Sequence, residues 1–264
     1  MGRDYNKIIG VSEQQIIILK EKITLTCREH LDKAERDWIV SGADSLVESR
    51  KNDIGLDSIS VEDQSSLIPG YEIINPFEPK VDEFIAIVCD LRDSSKRIST
   101  INNSYKINGI QRVFYETSAL LPVIEITLEH FGGKVTEYLG DGTLGFIKYI
   151  DDEQIYAAHK FSKCCLTLSL DIVNELLKER YSLPALQIGI GLAFSKALIR
   201  VVTKNHVKAF GECVWRATKL SNGYNKVNID EKLKAKWPKA IGGGLSFTKT
   251  THDKLTGYRL YPQK

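Results

Sequence analysis

An unbroken apolar run, Phe84-Ile85-Ala86-Ile87-Val88-Cys89, stops on Asp90 and is followed by Leu91-Arg92-Asp93-Ser94-Ser95. A run of this kind, rich in Ile and Val, predicts a strand buried on both faces. Ser94 and Ser95 predict the cap of a helix that continues through Lys96, Ile98 and Ile101. Upstream, Ile16, Leu19, Ile23, Leu31, Ala34 and Trp38 recur at helical spacing within a helix from about Glu13 to Val40, opened by Ser12 with Gln15 as a capping box. That stripe predicts a docking face, against the body of the protein or against a second copy. Residues 41–80 are polar, carry Pro69, Pro76 and Pro79 and hold no sustained period, which predicts a connector.

Beyond the first strand, Asn102-Asn103-Ser104 predicts a turn. A helix built on Ile110, Val113, Phe114, Leu120 and Leu121 is predicted to run to about His130, with a kink or restart at Pro122. Two β-prone runs, Lys134 to Leu139 and Thr143 to Tyr149, flank Gly140-Asp141-Gly142, the signal of a tight hairpin whose glycines accept φ > 0. A long helix over Asp152 to Arg180 follows, with Ile155, Ala158, Phe161, Cys165, Leu168, Ile172, Val173 and Leu176 on its core side. Two strands, Ala185 to Phe194 and Ala197 to Thr203, a short helix from Glu212 to Ser221, and late strands near Leu245 to Thr248 and Tyr258 to Tyr261 complete the order. Strand, helix, hairpin, helix, strand is the order of a ferredoxin-like βαββαβ core. The expected fold class is therefore α+β, with extra strands after the core and an N-terminal helix and connector (1–80) before the main domain (81–264).

Candidate chemistry gathers at two carboxylates. Burying an unpaired Asp is expensive, so Asp90 at the exit of a core strand calls for a cation, a set of hydrogen-bond donors or a metal. The helix start behind it offers free amides to an anion. If the hairpin pairs beside the first strand, its tip brings Asp141 next to Asp90, and clustered carboxylates suit two hard divalent cations holding a triphosphate. The local alternatives are an Asp90 that caps a helix and an Asp141 that serves the turn. His159 has no partner at metal-ligand spacing and reads as structural.

Composition narrows the classes. With 42% hydrophobic and 27% charged residues the chain reads as a soluble globular protein, and a net charge of +2 argues against a general nucleic-acid binder while leaving room for one basic pocket. The five cysteines, Cys27, Cys89, Cys164, Cys165 and Cys213, are odd in number, scattered and set in apolar contexts, which predicts reduced thiols rather than disulfides or a zinc site. No apolar run approaches the ~20 residues needed to span a bilayer, and the opening Met1-Gly2-Arg3-Asp4-Tyr5 does not resemble a signal peptide. A cytoplasmic protein without direct membrane insertion is expected.

The strand ending in Asp-Leu-Arg-x-Ser-Ser, the segment Gly-Gly-x-Val-x-x-x-Leu-Gly-Asp-Gly, then Leu186-Gln187-Ile188-Gly189-Ile190-Gly191 and Gly211-Glu212-Cys213-Val214-Trp215-Arg216-Ala217-Thr218-Lys219-Leu220 stand in the order of the class III nucleotidyl cyclase domain, which the chain resembles from Val81 onward. Within that family it looks most like the bacterial pyrimidine cyclases of Pycsar anti-phage systems. The resemblance implies attack of a ribose 3′-OH on the α-phosphorus of a nucleoside triphosphate with pyrophosphate leaving, a reaction governed by positioning and charge neutralisation. It implies Asp90, Asp141 and the carbonyl of Leu91 as ligands of two Mg²⁺ or Mn²⁺ ions, and the amides of Arg92, Asp93, Ser94 and Ser95 as a phosphate-binding turn.

Departures from the family pattern carry information too. Glu137 and Lys208 fall at the base-reading positions, an acid and a base that invert the adenine pattern. A Glu accepts from a base NH and a Lys donates to a base carbonyl, which uracil, cytosine and guanine all offer. Each residue also reads as a plain surface charge. The family's transition-state Asn and Arg fall at Trp215 and Lys219, which i,i+4 spacing puts on one side of a helix. Lys219 retains a positive charge for developing phosphate charge, without the fork of Arg. For Trp215 three roles stand open: stacking on base or sugar, packing at a dimer interface, or filling the core, with core or interface ranked first. Tyr105, Arg112 and the Lys96-Arg97 pair offer phosphate or base contacts, but read first as helix-surface residues. Because the family's sites lie between two catalytic domains, the resemblance implies a homodimer, converting UTP or CTP, with UTP preferred, to a 3′,5′-cyclic monophosphate read by a separate effector. A guanylate cyclase, and a silent nucleotide-binding domain, are the alternatives.

Overall fold

The computed structural model describes residues 3–42, 63–99, 107–204, 206–239, 245–252 and 254–262. The capping box forms as predicted: Ser12 Oγ accepts from the Gln15 amide, and the Gln15 side chain accepts from the Ser12 amide. It opens α2 (Glu13–Asp37), which runs into a π turn over Trp38–Gly42, and a short α1 (Tyr5–Ile9) precedes it. Ile16, Leu19, Ile23, Leu31 and Ala34 are buried, together with Cys27 one turn beyond Ile23. Trp38 closes the stripe against Phe114, with ring centroids 5.8 Å apart. The stripe therefore docks on the body of its own chain and not on a second copy.

Of the connector, the described residues hold a two-stranded ladder, β1 (Gln64–Ser65) with β2 (Ile73–Ile74). The core strand β3 (Lys80–Leu91) is buried on both faces over its apolar run, as predicted. Phe84, Ala86 and Val88 enter one hydrophobic cluster and Ile85, Ile87, Cys89 and Leu91 the other, the period of two that a strand imposes. The next helix, α3 (Ser94–Ser99), is short. Ile101, the Asn102-Asn103-Ser104 turn and Tyr105 lie outside the described residues.

The helix α4 (Gly109–His130) is continuous through Pro122. Packing against α2 holds it together although proline removes one backbone hydrogen bond. Its buried face differs from the expected one: Ile110 is 48% exposed, and Arg112, Tyr115, Glu116, Ala119, Val123, Ile124 and Leu128 line the core with Leu120. The hairpin follows as β4 (Lys134–Tyr138) and β5 (Gly142–Lys148). The long helix is α5 (Asp152–Cys164) and α6 (Leu170–Tyr181), joined by a π turn over Cys165–Ser169 where Ser169 Oγ meets Thr127 Oγ1 at 2.9 Å. A one-residue widening of this kind leaves the apolar three-four spacing readable as a plain helix, so the pattern hid it.

The two strands expected next are one, β6 (Ile188–Thr203), folded back on β7 (His206–Gly211), a strand absent from the sequence reading. The short helix α7 (Glu212–Leu220) forms as expected. After it come β8 (Lys226–Asp230) and α8 (Glu231–Lys236), both unforeseen, and the late strands β9 (Leu245–His252) and β10 (Leu255–Pro262). In space the main sheet reads β4-β5-β3-β6-β8-β10-β9, with β7 on β6. Each neighbouring pair among the first four is antiparallel, which is the ferredoxin-like βαββαβ core, and β8 adds parallel to β6. Helices α2, α4, α5 and α6 cover one face. On the other lie α7 and, through Ile68 and Ile74, the β1–β2 segment. Gly191 lets α7 approach: a Cβ there would stand 2.0 Å from the Ala217 carbonyl oxygen. The five cysteines are free and buried. Among the described residues no helix is long and apolar enough to cross a membrane.

One buried ionic knot ties α3 to α4. Glu116 is fully buried, and its Oε1 accepts from Arg97 Nη1 and Arg112 Nε, each at 2.8 Å. Arg97 and Arg112 are thus largely buried rather than surface residues, while Lys96 is exposed and pairs with Asp93 at 3.1 Å. Removing one partner of such a group strands the remaining charge. Glu116→Gln should therefore lower stability by about 3–5 kcal/mol, read as a fall in the urea midpoint. His159 makes a second prediction. It packs edge-on against Trp237, 5.6 Å between centroids, and burial, with the Lys163 charge as a smaller cause, pushes its pKa down to about 4 from 6.5. Between those values the unfolded chain binds a proton that the folded chain refuses. Stability present above pH 6.5 should fall by about 2 kcal/mol at pH 5, and comparing urea midpoints at pH 7 and pH 5 in the wild type and in His159→Phe should show that slope only in the wild type.

Candidate functional site

The site is built where β3 ends. Antiparallel pairing sets Asp90 opposite Gly142 of β5 on one side and opposite Gly189 of β6 on the other. The hairpin turns on Gly140, whose φ is +80°, and closes with the Leu139 amide donating to the Gly142 carbonyl at 2.8 Å. Gly142 keeps ordinary φ; its need is space, because a Cβ would lie 2.6 Å from the Cys89 carbonyl oxygen and 3.5 Å from Asp90 Oδ1. Asp141 consequently sits beside Asp90, and the Leu91 amide donates to the Asp141 carbonyl at 3.2 Å.

Each carboxylate gives one oxygen to an internal donor. Arg92 Nη1 donates to Asp90 Oδ2, and Ser94 Oγ donates to Asp141 Oδ2. The cap of α3 is Asp93 and not the serines: its φ is +62°, its carbonyl accepts from the Arg97 amide at 3.0 Å, and its carboxylate accepts from Tyr224 Oη at 3.1 Å. Arg92 cannot lend its amide to a phosphate-binding turn as expected, because that N–H donates to the Gln187 carbonyl at 2.9 Å. The sequence reading valued Arg92 and Ser94 for their amides and missed what their side chains touch; it also missed Tyr224. A charged and a hydroxyl side chain within a few residues of Asp90 were the available signal.

Burial raises the Asp90 carboxyl above its usual range, the Arg92 charge pulls it back down, and the Asp141 charge adds to the rise. Two adjacent carboxylates, each with Oδ1 unengaged by any donor among the described residues, form a hard oxygen donor set that suits Mg²⁺ or Mn²⁺. Among the described residues no group of three or more His, Cys, Asp or Glu side chains gathers at one point.

The expected base-reading residues meet each other: Lys208 Nζ lies 3.1 Å from Glu137 Oε2. The β4–β5 ladder shifts register between Val135 and Glu137, next to this salt bridge. Both residues line a cavity of about 590 Å³, with Ser65 to Ile68 of the connector, Thr136, Tyr138 and His206. Trp215 and Lys219 share α7, which packs on the sheet through Cys213, Ala217 and Leu220. Trp215 is 53% exposed, which excludes the core role expected for it and leaves stacking or an interface. Thus the structure joins Asp90 with Asp141 and Glu137 with Lys208, and carries Trp215 and Lys219 on a third element.

No family model matches the sequence, and no curated protein matches it either. Solved structures do. The guanylyl cyclase Cya2 superposes with a TM-score of 0.55 at 15% identity, covering 70% of this chain and 94% of that one. The adenylyl cyclase CyaB from P. aeruginosa gives a TM-score of 0.55 at 10% identity, covering 71% and 98%. A non-canonical dimeric guanylyl cyclase domain of the RhoGC fusion protein from the aquatic fungus Blastocladiella emersonii gives 0.52 at 15%, covering 71% and 98%. Likeness at such identities speaks for architecture alone, and the architecture of this chain is that of the catalytic domains of guanylyl and adenylyl cyclases.

Proposed function

We propose that this chain is a nucleotidyl cyclase, converting a nucleoside triphosphate to its 3′,5′-cyclic monophosphate and pyrophosphate. The observation that carries the reading is the adjacency of Asp90 and Asp141, at a strand end and a hairpin tip held in one register, within a cyclase-domain fold. Asp90, Asp141 and the Leu91 carbonyl would hold two Mg²⁺ or Mn²⁺ ions; such ions, when bound, neutralise charge on the triphosphate and on the attacking 3′ oxygen. The Ser94 hydroxyl orients the Asp141 carboxylate through its hydrogen bond. Lys219 supplies a positive charge toward developing phosphate charge, and exposed Trp215 supplies a flat apolar surface to a base or to a second copy. The resemblance to the cyclase family supports a homodimer with sites between the two copies.

The paired Glu137 and Lys208 present an acceptor and a donor side by side at the wall of a cavity. Uracil, cytosine and guanine each match such a pair. On the sequence resemblance we favour UTP or CTP, with the product a cytoplasmic second messenger of phage defence read by a separate effector. Glu137, the residue type the resemblance gives to guanylate cyclases at that position, favours GTP as the second reading, and Lys208 disfavours it. Incubation with each of the four ribonucleoside triphosphates, with Mn²⁺ and then Mg²⁺, should yield a cyclic pyrimidine monophosphate by mass. Cyclic GMP would promote the second reading, and absence of any product would overturn the enzyme. Asp90→Asn and Asp141→Asn should each abolish product while circular dichroism and oligomeric state stay unchanged; turnover surviving either change removes the carboxylate pair from the mechanism.

A further inference from the structure

We infer that the Arg92 side chain is a built-in competitor for the metal position at Asp90: a divalent ion held there competes with its guanidinium for the carboxylate charge and releases it toward a phosphate oxygen. The inference rests on reading Asp90 and Asp141 as metal ligands.

The geometry is specific to this chain. Arg92 is pinned at its backbone by the hydrogen bond to Gln187, so its side chain folds back over the carboxylate two residues earlier. It is the cation in contact with Asp90 among the described residues; Lys96 is engaged by Asp93 and Lys208 by Glu137. The guanidinium is poorly satisfied there. Its Nε is buried without a hydrogen-bond partner among the described residues, an unfavourable condition for a donor. On its other side lies the Tyr224 ring, 6.0 Å from the guanidinium carbon, at the outer limit of a useful cation–π contact. An arginine with one strong partner and one stranded donor beside a carboxylate pair fits a planar fork waiting for a second anion. A divalent ion held by Asp90 would carry twice the charge of the guanidinium against the same carboxylate and repel it, and the released fork would find its second anion in a bound phosphate. Metal and phosphate then assist each other's binding, and the coupling is reciprocal.

The test is a Mn²⁺ titration of the full chain without nucleotide, followed by the loss of the free-ion electron paramagnetic resonance signal. Arg92→Gln should bind Mn²⁺ about tenfold tighter than the wild type. Arg92→Lys, which keeps the charge, should stay near the wild type and guards against a merely structural effect of the Gln variant. The gain should vanish in the Arg92→Gln, Asp90→Asn double variant. Equal or weaker Mn²⁺ affinity in Arg92→Gln, or a gain that survives loss of the Asp90 charge, overturns the inference. If Arg92→Gln shows no gain in a protein that does make cyclic nucleotide, only this inference falls; if no variant binds Mn²⁺, the metal reading of the carboxylates falls with it.

Discussion

The antiparallel register between β3 and β5 is the constraint on which the rest of the site depends. Asp90 faces Gly142, so Asp141 has no freedom to be anywhere but beside it. A slip of one residue would turn every side chain of β3 to the opposite face. The slip is opposed from both sides, since Phe84, Ala86 and Val88 pack with Leu144 and Phe146 in one cluster while Ile85, Ile87, Cys89 and Leu91 pack with Ile147 in the other. Two apolar layers thus hold one pair of carboxylates in place.

Charge is managed by the same elements. The turn after β3 would be a loose loop if it rested on its own backbone, yet every side chain from Arg92 to Ser94 is engaged: Arg92 with Asp90, Asp93 with Lys96 and Tyr224, Ser94 with Asp141. Behind it, the buried Arg97–Glu116–Arg112 group fixes α3 against α4. Asp93, Ser94 and the buried ionic group behind them need little reorganisation when a ligand arrives, the condition under which fixed charges act most strongly, and Arg92 is the side chain left to move.

The Glu137–Lys208 side is arranged differently. Glu137 and Lys208 come from strands at some remove in the sequence, β4 and β7, and are held by a salt bridge at a surface cavity rather than by burial. Part of the cavity wall is the connector segment Ser65 to Ile68, whose Ile68 is buried in the cluster on the open sheet face. A stretch that reads as a featureless linker therefore shapes the surroundings of the Glu137–Lys208 pair.

Short-range patterns were legible in the residues themselves. The run Phe84 to Cys89, the Ser12–Gln15 capping box, the stripe of α2 and the Gly-Asp-Gly turn each depend on neighbours within a turn or a hairpin, and the βαββαβ order follows from them. With those in place, the meeting of Asp90 and Asp141 could be expected before any coordinates. Tertiary structure decided what depends on contacts between distant segments: the burial of Arg97, Glu116 and Arg112, the exposure of Trp215, the fusion of two apparent strands into β6 and its return as β7, and the attachment of Arg92 to Asp90. Periodicity reports which side of an element is apolar, but a charged or aromatic side chain carries no sign of whether a counter-charge or open solvent awaits it, because that partner is supplied by another part of the fold.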